Sequence, residues 1–218
     1  EDWNGFNVLH TAAARVGGRD LGLLPGEGGR DVEGILEGAG RGEIEVVYLV
    51  GADEIDTGRL AEAFVIYQGH HGDRGAQAAD VILPGAAYTE KHATYVNTEG
   101  RPQRAKLAVF PPGEAKEDWK ILRALSEVLG RTIGLNSLGE VRARMAEIAP
   151  ALGAIDEVRR AAWGDFGRGG GELGRASFVS PVQDVYLTNP ISRASAVMHE
   201  CSDLFVKRVG EGATGTHG

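Results

Sequence analysis

The chain has 218 residues, 42% hydrophobic and 25% charged, with a formal net charge of −8. That is the composition of a soluble globular protein with room for one large or two small domains. Its Lys and Arg residues are scattered, which argues against a nucleic-acid partner, and no apolar run approaches the roughly 18 residues of a spanning helix.

No signal-peptide pattern opens the chain, so membrane association is expected only through another protein, without direct insertion. Cys201 is the single cysteine. An iron–sulfur cluster takes about four Cys ligands and structural zinc about four Cys or His, so this chain cannot build a cluster alone. A lone thiol also fits a reducing compartment, and a buried, inert role is expected for it. The first residue is Glu1 and a helical pattern starts almost at once. A piece of a longer polypeptide is the expectation, with processing as the alternative.

In chain order, Phe6, Leu9, Ala13 and Val16 fall on one helical face, and Gly17-Gly18 is expected to end that helix. The stretch LLPGEGGRDVEGILEGAGRGE, Leu23 to Glu43, has too many glycines for a long element. Ile44–Val50 is a nearly continuous β-branched run stopped by Gly51, the pattern of a strand buried on both faces of a parallel sheet. Phe64–Tyr67 and Asp80–Leu83 repeat it, with connections of about a dozen residues, near the minimum for a parallel crossover. The economical reading is an α/β layer with short helices.

Past Pro111-Pro112-Gly113 the pattern turns helical. Glu114, Glu117 and Asp118 place acid in the first turn, where the helix dipole favours it. Ile121, Leu122, Leu125, Val128 and Leu129 form a stripe expected to pack on the sheet, with Gly130 as C-terminal cap. Ser137 and Glu140 make a capping box for a second helix, with Val141, Met145 and Ile148 inward and Pro150 at its end. A third short helix is expected to reach Trp163, followed by a linker, Gly164–Arg175. A last ordered stretch runs from Ser177 to Val209, and a Gly-rich tail, 210–218, is expected to be disordered.

Recognised phosphate-binding glycine spacings are missing. In VGADE, Asp53 is placed to cap the next element. His70 and His71, with Asp73 nearby, could bind metal or shuttle protons. Adjacent residues diverge on a strand, however, so a polar loop at a strand's carboxyl end is the reading preferred. His199 and Cys201 in HEC diverge around a helix axis, which disfavours a metal site.

ADVILPGAAYTEKHATYVNTEGRPQ, Ala79 to Gln103, is different. Its polar residues are many, ordered by Pro and Gly, and placed at a strand's carboxyl end, where open α/β sheets bind ligands. This stretch resembles the signature of the molybdopterin oxidoreductase family, in which the loop lies near a bis-pterin cofactor. The longer string Phe64–Gln103, with EDWKILRALSEVLG (Glu117–Gly130) and TNPISRASAVMHEC (Thr188–Cys201), is similar to one branch. That branch is the large iron–sulfur subunit of respiratory NADH:quinone oxidoreductase, complex I. The resemblance covers Phe6–Pro25, Ile44–Gly130 and Ser177–Ser202, and is weak between Arg131 and Arg175.

The resemblance implies a parallel-sheet layer of a molybdopterin oxidoreductase-like α/β domain at 1–130. A mostly helical C-terminal extension particular to that branch is implied at 131–209. It implies a structural or docking segment with no catalytic, cofactor-binding or metal residue of its own. Iron–sulfur clusters are expected in an N-terminal region of the full-length subunit, and other hydrophilic-arm subunits of complex I are the expected partners. The location implied is the cytoplasmic side of the bacterial inner membrane, or the mitochondrial matrix side. A fragment of a cofactor-binding molybdopterin oxidoreductase and a stand-alone nucleotide-binding module are the alternatives. In the molybdopterin family Gly usually precedes the Thr that matches Thr94; here Ala93 stands there, after Lys91 and His92. Glu90, Thr94, Asn97, Glu99, Arg101 and Gln103 are retained, and a self-satisfied loop without cofactor is expected.

Overall fold

The computed structural model describes residues 8–159, 172 and 174–207. Phe6, the helix expected to reach Trp163, most of the linker and the 210–218 tail lie outside the described residues. Three parallel strands, β1 (Val46–Val50), β2 (Phe64–Gly69) and β3 (Val81–Pro84), form a sheet in that order. Their register pairs Val47 with Val65, Leu49 with Tyr67, and Tyr67 with Ile82. A 3-10 turn, Thr57–Leu60, lies in the first crossover, and a four-residue helix, α3 (Arg74–Gln77), in the second.

One sheet face carries the main core. Val47, Leu49, Val65 and Tyr67 pack with Leu60, Ala63, and Leu36 and Ala39 of helix α2 (Val32–Gly40). The opposite face does not match the expectation of strands buried on both sides. Val46 is 56% exposed, and Val50 and Phe64 are also exposed. An apolar run signals burial of a strand but not on how many faces, because alternation vanishes when both faces are apolar.

Helix α2 itself corrects the glycine-rich reading. Asp31 caps it, accepting from the Gly34 amide at 2.9 Å. It ends in a Schellman motif, with Glu43 N–H to Gly38 O (2.9 Å) and Gly42 left-handed at φ 71°. Gly38 is buried because Arg30 and Ile44 occupy the space a β-carbon would need. The same correction applies upstream. Helix α1 (Arg15–Asp20) begins near where the periodicity expected an end, and Gly17 and Gly18 lie inside it. A β-carbon on Gly17 would stand 3.3 Å from Val96 Cγ2, so close packing outweighs helix propensity there.

A second, smaller core joins Val96, Ala149 and Leu152 with Val16, Leu21 and Met145. It is built on a hairpin, β4 (Ala93–Val96) against β5 (Pro102–Ala105), where the sequence reading had a loop. Helix α5 (Leu138–Ile148) starts at Ser137, whose Oγ accepts from the Glu140 amide at 3.2 Å. The reciprocal half of the expected box goes elsewhere, since Glu140 accepts from Asn136 N–H.

Helix α4 (Asp118–Val128) departs furthest from expectation. Its apolar stripe is not in the core: Val128 is 84% and Leu129 70% exposed, and Leu122 is exposed too. Ser126 is the residue of α4 that is buried. Amphipathic spacing gives a helix an apolar face without stating what covers it. Among the described residues no strand follows β5, and no helix is long and apolar enough to cross a membrane.

Candidate functional site

The carboxyl ends of β1, β2 and β3 open into three loops that hold most of the chain's unusual polar chemistry. Asp53, after β1, is 1% exposed. Its carboxylate accepts from the Tyr67 hydroxyl and from the Gly75 amide, both at 3.0 Å. It therefore caps α3 from another segment rather than the next element, as the sequence suggested. Burial, then the bond to Asp53, pushes the Tyr67 phenol up from its ordinary value.

Asp73 occupies the N-cap position of α3 but makes no capping bond with its side chain. An unused Asp cap forgoes about 1 kcal/mol. The carboxylate instead accepts from Arg193 Nε at 2.5 Å, while Arg193 Nη2 reaches Glu54 at 3.0 Å. Burial pushes the Asp73 carboxyl up, yet Arg193, the Arg74 amide and both positive charges hold it below its ordinary value.

His70 and His71 meet in the turn beyond β2, with rings perpendicular and Nδ1 atoms 2.6 Å apart. Strand alternation does not apply there, so they converge rather than diverge. That spacing is a hydrogen bond with one shared proton. Two nitrogens on one tetrahedral zinc, each about 2.0 Å from it, would stand about 3.3 Å apart. Among the described residues no group of three His, Cys, Asp or Glu is arranged to hold a metal. His199 instead pairs through Nε2 with Arg193 O at 2.7 Å, and Cys201 is half-buried rather than buried.

Burial, with the charges of His71 and Lys91, pushes His70 below its ordinary value, against the opposing Asp53 and Glu90. The unfolded chain therefore binds more protons, and stability present above about pH 6.5 is lost as pH falls through the lowered native value. In urea denaturation at a series of pH values, His70→Gln should flatten the slope just below pH 6.5. An unchanged slope would show that His70 titrates as a free imidazole.

The third loop runs from Pro84 into the hairpin. Glu90 accepts from the Ala87 amide at 2.9 Å. Lys91 donates to Asp118 at 2.6 Å, Asp118 accepts from Gln68 at 2.8 Å, and Gln68 accepts from the Tyr48 hydroxyl. Glu117 accepts from the His92 amide, Trp119 Nε1 and Lys120. Burial pushes its carboxyl up, but Lys120, the His92 amide and Trp119 together hold it below its ordinary value. Asn97 Oδ1 accepts from the Glu99 and Arg101 amides, both at 3.0 Å, and Gly100 is left-handed at φ 80°. NTEGR is thus the tip of the hairpin. Arg101 continues to Glu99 and to Asp156 O, at 2.6 Å for the latter.

The side chains of Glu90, Lys91, Asn97, Glu99 and Arg101 bind the protein, and among the described residues the buried side-chain polar atom lacking a partner is Arg142 Nε, on α5. Ala93 lies in β4, paired with Ala105, and is not left-handed, so its β-carbon brings no backbone strain. Gln103 pairs with Tyr95, and Thr94 with Arg104, in the same ladder.

Two cavities flank the loops. One of about 370 Å³ is lined by His92, Phe110, Lys116, Glu117 and Lys120 among others. The other, about 540 Å³, lies between His70 and Tyr88 on one side and Ile191, Ser195 and Met198 on the other. Arg193 is the site residue that sequence reasoning missed, since nothing local separates it from a solvated arginine.

The family model for molybdopterin oxidoreductase matches residues 1–128, and that for the C-terminal region of the NADH-ubiquinone oxidoreductase G chain matches residues 162–201. The NADH-ubiquinone oxidoreductase 75 kDa subunit of Reclinomonas americana is 46% identical over 206 residues, covering 94% of this chain and 29% of its own length. The mitochondrial NADH dehydrogenase [ubiquinone] iron-sulfur protein 1 of Solanum tuberosum is 44% identical, covering 94% and 27%. The mitochondrial 78 kDa subunit of Candida albicans is 41% identical, covering 95% and 29%. The chain thus spans under a third of the length of these relatives. Among solved structures, acetylene hydratase from Pelobacter acetylenicus aligns over 54% of this chain and 18% of its own, with TM-score 0.45 and 16% identity.

Proposed function

We propose, from the premise that the chain belongs to the molybdopterin oxidoreductase family, that it is a structural and docking segment of the large iron–sulfur subunit of NADH:quinone oxidoreductase. That assembly passes electrons from NADH to quinone; this segment supplies no redox centre and no catalytic, cofactor-binding or metal residue. The observation that carries the reading is the loop Pro84–Gln103. The side chains of Glu90, Lys91, Asn97 and Arg101 in it are engaged by Asp118, Asp156 O and the loop's own amides, in the place where the family resemblance would put a pterin. The 41–46% identity to relatives named as subunits of this oxidoreductase supports the choice of assembly.

On this proposal the iron–sulfur clusters belong to an N-terminal region of the full-length subunit. The partners are other hydrophilic-arm subunits, and the segment lies on the cytoplasmic side in bacteria or the matrix side in mitochondria. The exposed apolar residues at the end of α4, Val128 and the C-cap Leu129, and of the segment at Phe178 and Val179, are candidates for those contacts.

Metal and pterin analysis of the intact native protein tests the reading. Iron and acid-labile sulfide without pterin are expected, and Cys201→Ser should leave every iron–sulfur signal in electron paramagnetic resonance intact. Oxidised pterin near one equivalent per chain would favour the cofactor-binding alternative. A cluster signal lost in Cys201→Ser would show that the segment is not redox-silent.

A further inference from the structure

Open parallel sheets take their ligands in the crevice outside the strands' carboxyl ends. In this chain Glu54 follows β1 and Asp73 follows β2, so two carboxylates stand at that crevice. Both are met by one side chain from far along the sequence. Arg193 lies 120 residues from Asp73 and 139 from Glu54, at the end of helix α6 (Pro190–Arg193).

All three guanidinium nitrogens are engaged. Nε donates to Asp73 at 2.5 Å, Nη2 to Glu54 at 3.0 Å, and Nη1 to the Leu187 carbonyl at 3.3 Å. The side chains of Arg193 and Asp73 are only 16% and 15% exposed, unlike the surface pairs elsewhere on the chain. The last of these bonds folds the 3-10 turn Val185–Leu187 back onto α6. His199 Nε2 bonds the Arg193 carbonyl, which ties in helix α7 (Ala196–Ser202). Ser202, fully buried, bonds Asp184 at 2.6 Å, closing the segment on itself.

We propose that the segment Val185–Ser202 is the resident occupant of the crevice at the carboxyl ends of β1 and β2, latched there by Arg193 in a clamp of Asp73 and Glu54. The occupant is this chain's own α6–α7 hairpin, and the arginine plays the part that a ligand's cationic group would play toward two carboxylates. The hairpin lines one side of the cavity whose other side is His70 and Tyr88, which places the His70 imidazole against it. Asp73 is turned from its helix cap toward the arginine, so the receiving surface is built for this contact rather than left over from α3. The inference holds for whichever assembly the chain belongs to, and goes beyond the structural role by naming what fills the crevice.

Hydrogen exchange and carbethoxylation of His70, both read by mass spectrometry on the full-length native protein, test the latch. Arg193→Ala should raise amide exchange in Ala196–Ser202 at least about tenfold and expose His70 to the reagent, with β1 and β2 amides unchanged. Arg193→Lys keeps one charge but cannot bridge both carboxylates and Leu187 O, and should fall between. The exchanged pair Arg193→Asp with Asp73→Arg should recover much of the protection of both regions. Exchange and labelling within twofold of wild type in Arg193→Ala would overturn the latch, as would a charge exchange that recovers nothing. A rise that spreads equally to β1 and β2 amides in the Ala and Lys variants would also overturn it, because Arg193 would then belong to the global core.

Discussion

Asp53→Ala should lower the free energy of unfolding by about 2–6 kcal/mol, because it strands two buried donors at about 1–3 kcal/mol each. The donors are the Tyr67 hydroxyl and the Gly75 amide, which share one carboxylate that is 1% exposed. Water does not reach either group at that depth, and the two donors come from β2 and α3, so one deletion weakens the joint between them. Tyr67→Phe should cost less, since it removes donor and partner demand together and leaves Asp53 its amide. In the Tyr67→Phe background, Asp53→Ala should then lose part of its effect, and that coupling is the term a double-mutant cycle isolates. Asp53→Asn, which keeps an acceptor, should fall between. Urea midpoints with constant m-values give all four numbers. An Asp53→Ala change below about 1 kcal/mol would mean that the pair is solvated.

Gly75→Ala should be nearly as damaging, at about 1–3 kcal/mol or more. A β-carbon there would stand 2.5 Å from Tyr67 Cε2, 2.7 Å from Cδ2 and 2.8 Å from Asp53 Oδ1. None of these atoms can yield cheaply. The Tyr67 ring is 1% exposed among Val65, Leu49 and Leu60, and its hydroxyl is pinned by Asp53. Gly75 is not left-handed, so alanine meets no backbone strain, and its better helix propensity of about 1 kcal/mol works in the opposite direction. A measured loss is therefore the clash less that propensity gain, and a lower bound on the clash. In a Tyr67→Leu background the penalty should shrink, because the shorter side chain gives up the ring atoms that a β-carbon would strike. A stabilising Gly75→Ala in the wild-type background would show that α3 can move away from β2.

The three parallel strands were legible because their cause is local, whereas β4 and β5 were not. Apolar, β-branched runs bounded by Gly51 or Pro84 can hardly do anything else in a globular chain. The start of α5 was legible for the same reason, through Ser137 at its cap, while α4 begins at Asp118 and not at Glu114 where the acidic run placed its first turn. The tip of the hairpin is present in the letters too, as Asn97 and Gly100, although the sequence reading takes it as part of a self-satisfied loop and not as the turn between two strands. The resemblance drew attention to the polarity of the stretch, and turn chemistry explains that polarity as well.

What misled the reading was glycine. Gly17 and Gly38 look like helix breakers in isolation, at roughly 1 kcal/mol each against alanine. In the structure they are helical because Val96, and Arg30 with Ile44, occupy the room a side chain would need. The α4 stripe fails in the opposite way, since its periodicity is correct but Leu122, Val128 and Leu129 stay exposed.

The sequence by itself determined the three parallel strands, the presence of helices α4 and α5 with the Ser137 start of the latter, and that one cysteine falls short of the about four ligands a cluster takes. Only the tertiary structure decided which face of each is covered, that Asp53 rather than Asp73 caps α3, and that Arg193 closes on carboxylates 120 and 139 residues away. The division follows from range. Periodicity, caps and turns act over a few residues and are written in neighbouring letters. Burial, clamps and clashes depend on which distant surfaces meet, and no local pattern of side chains carries that.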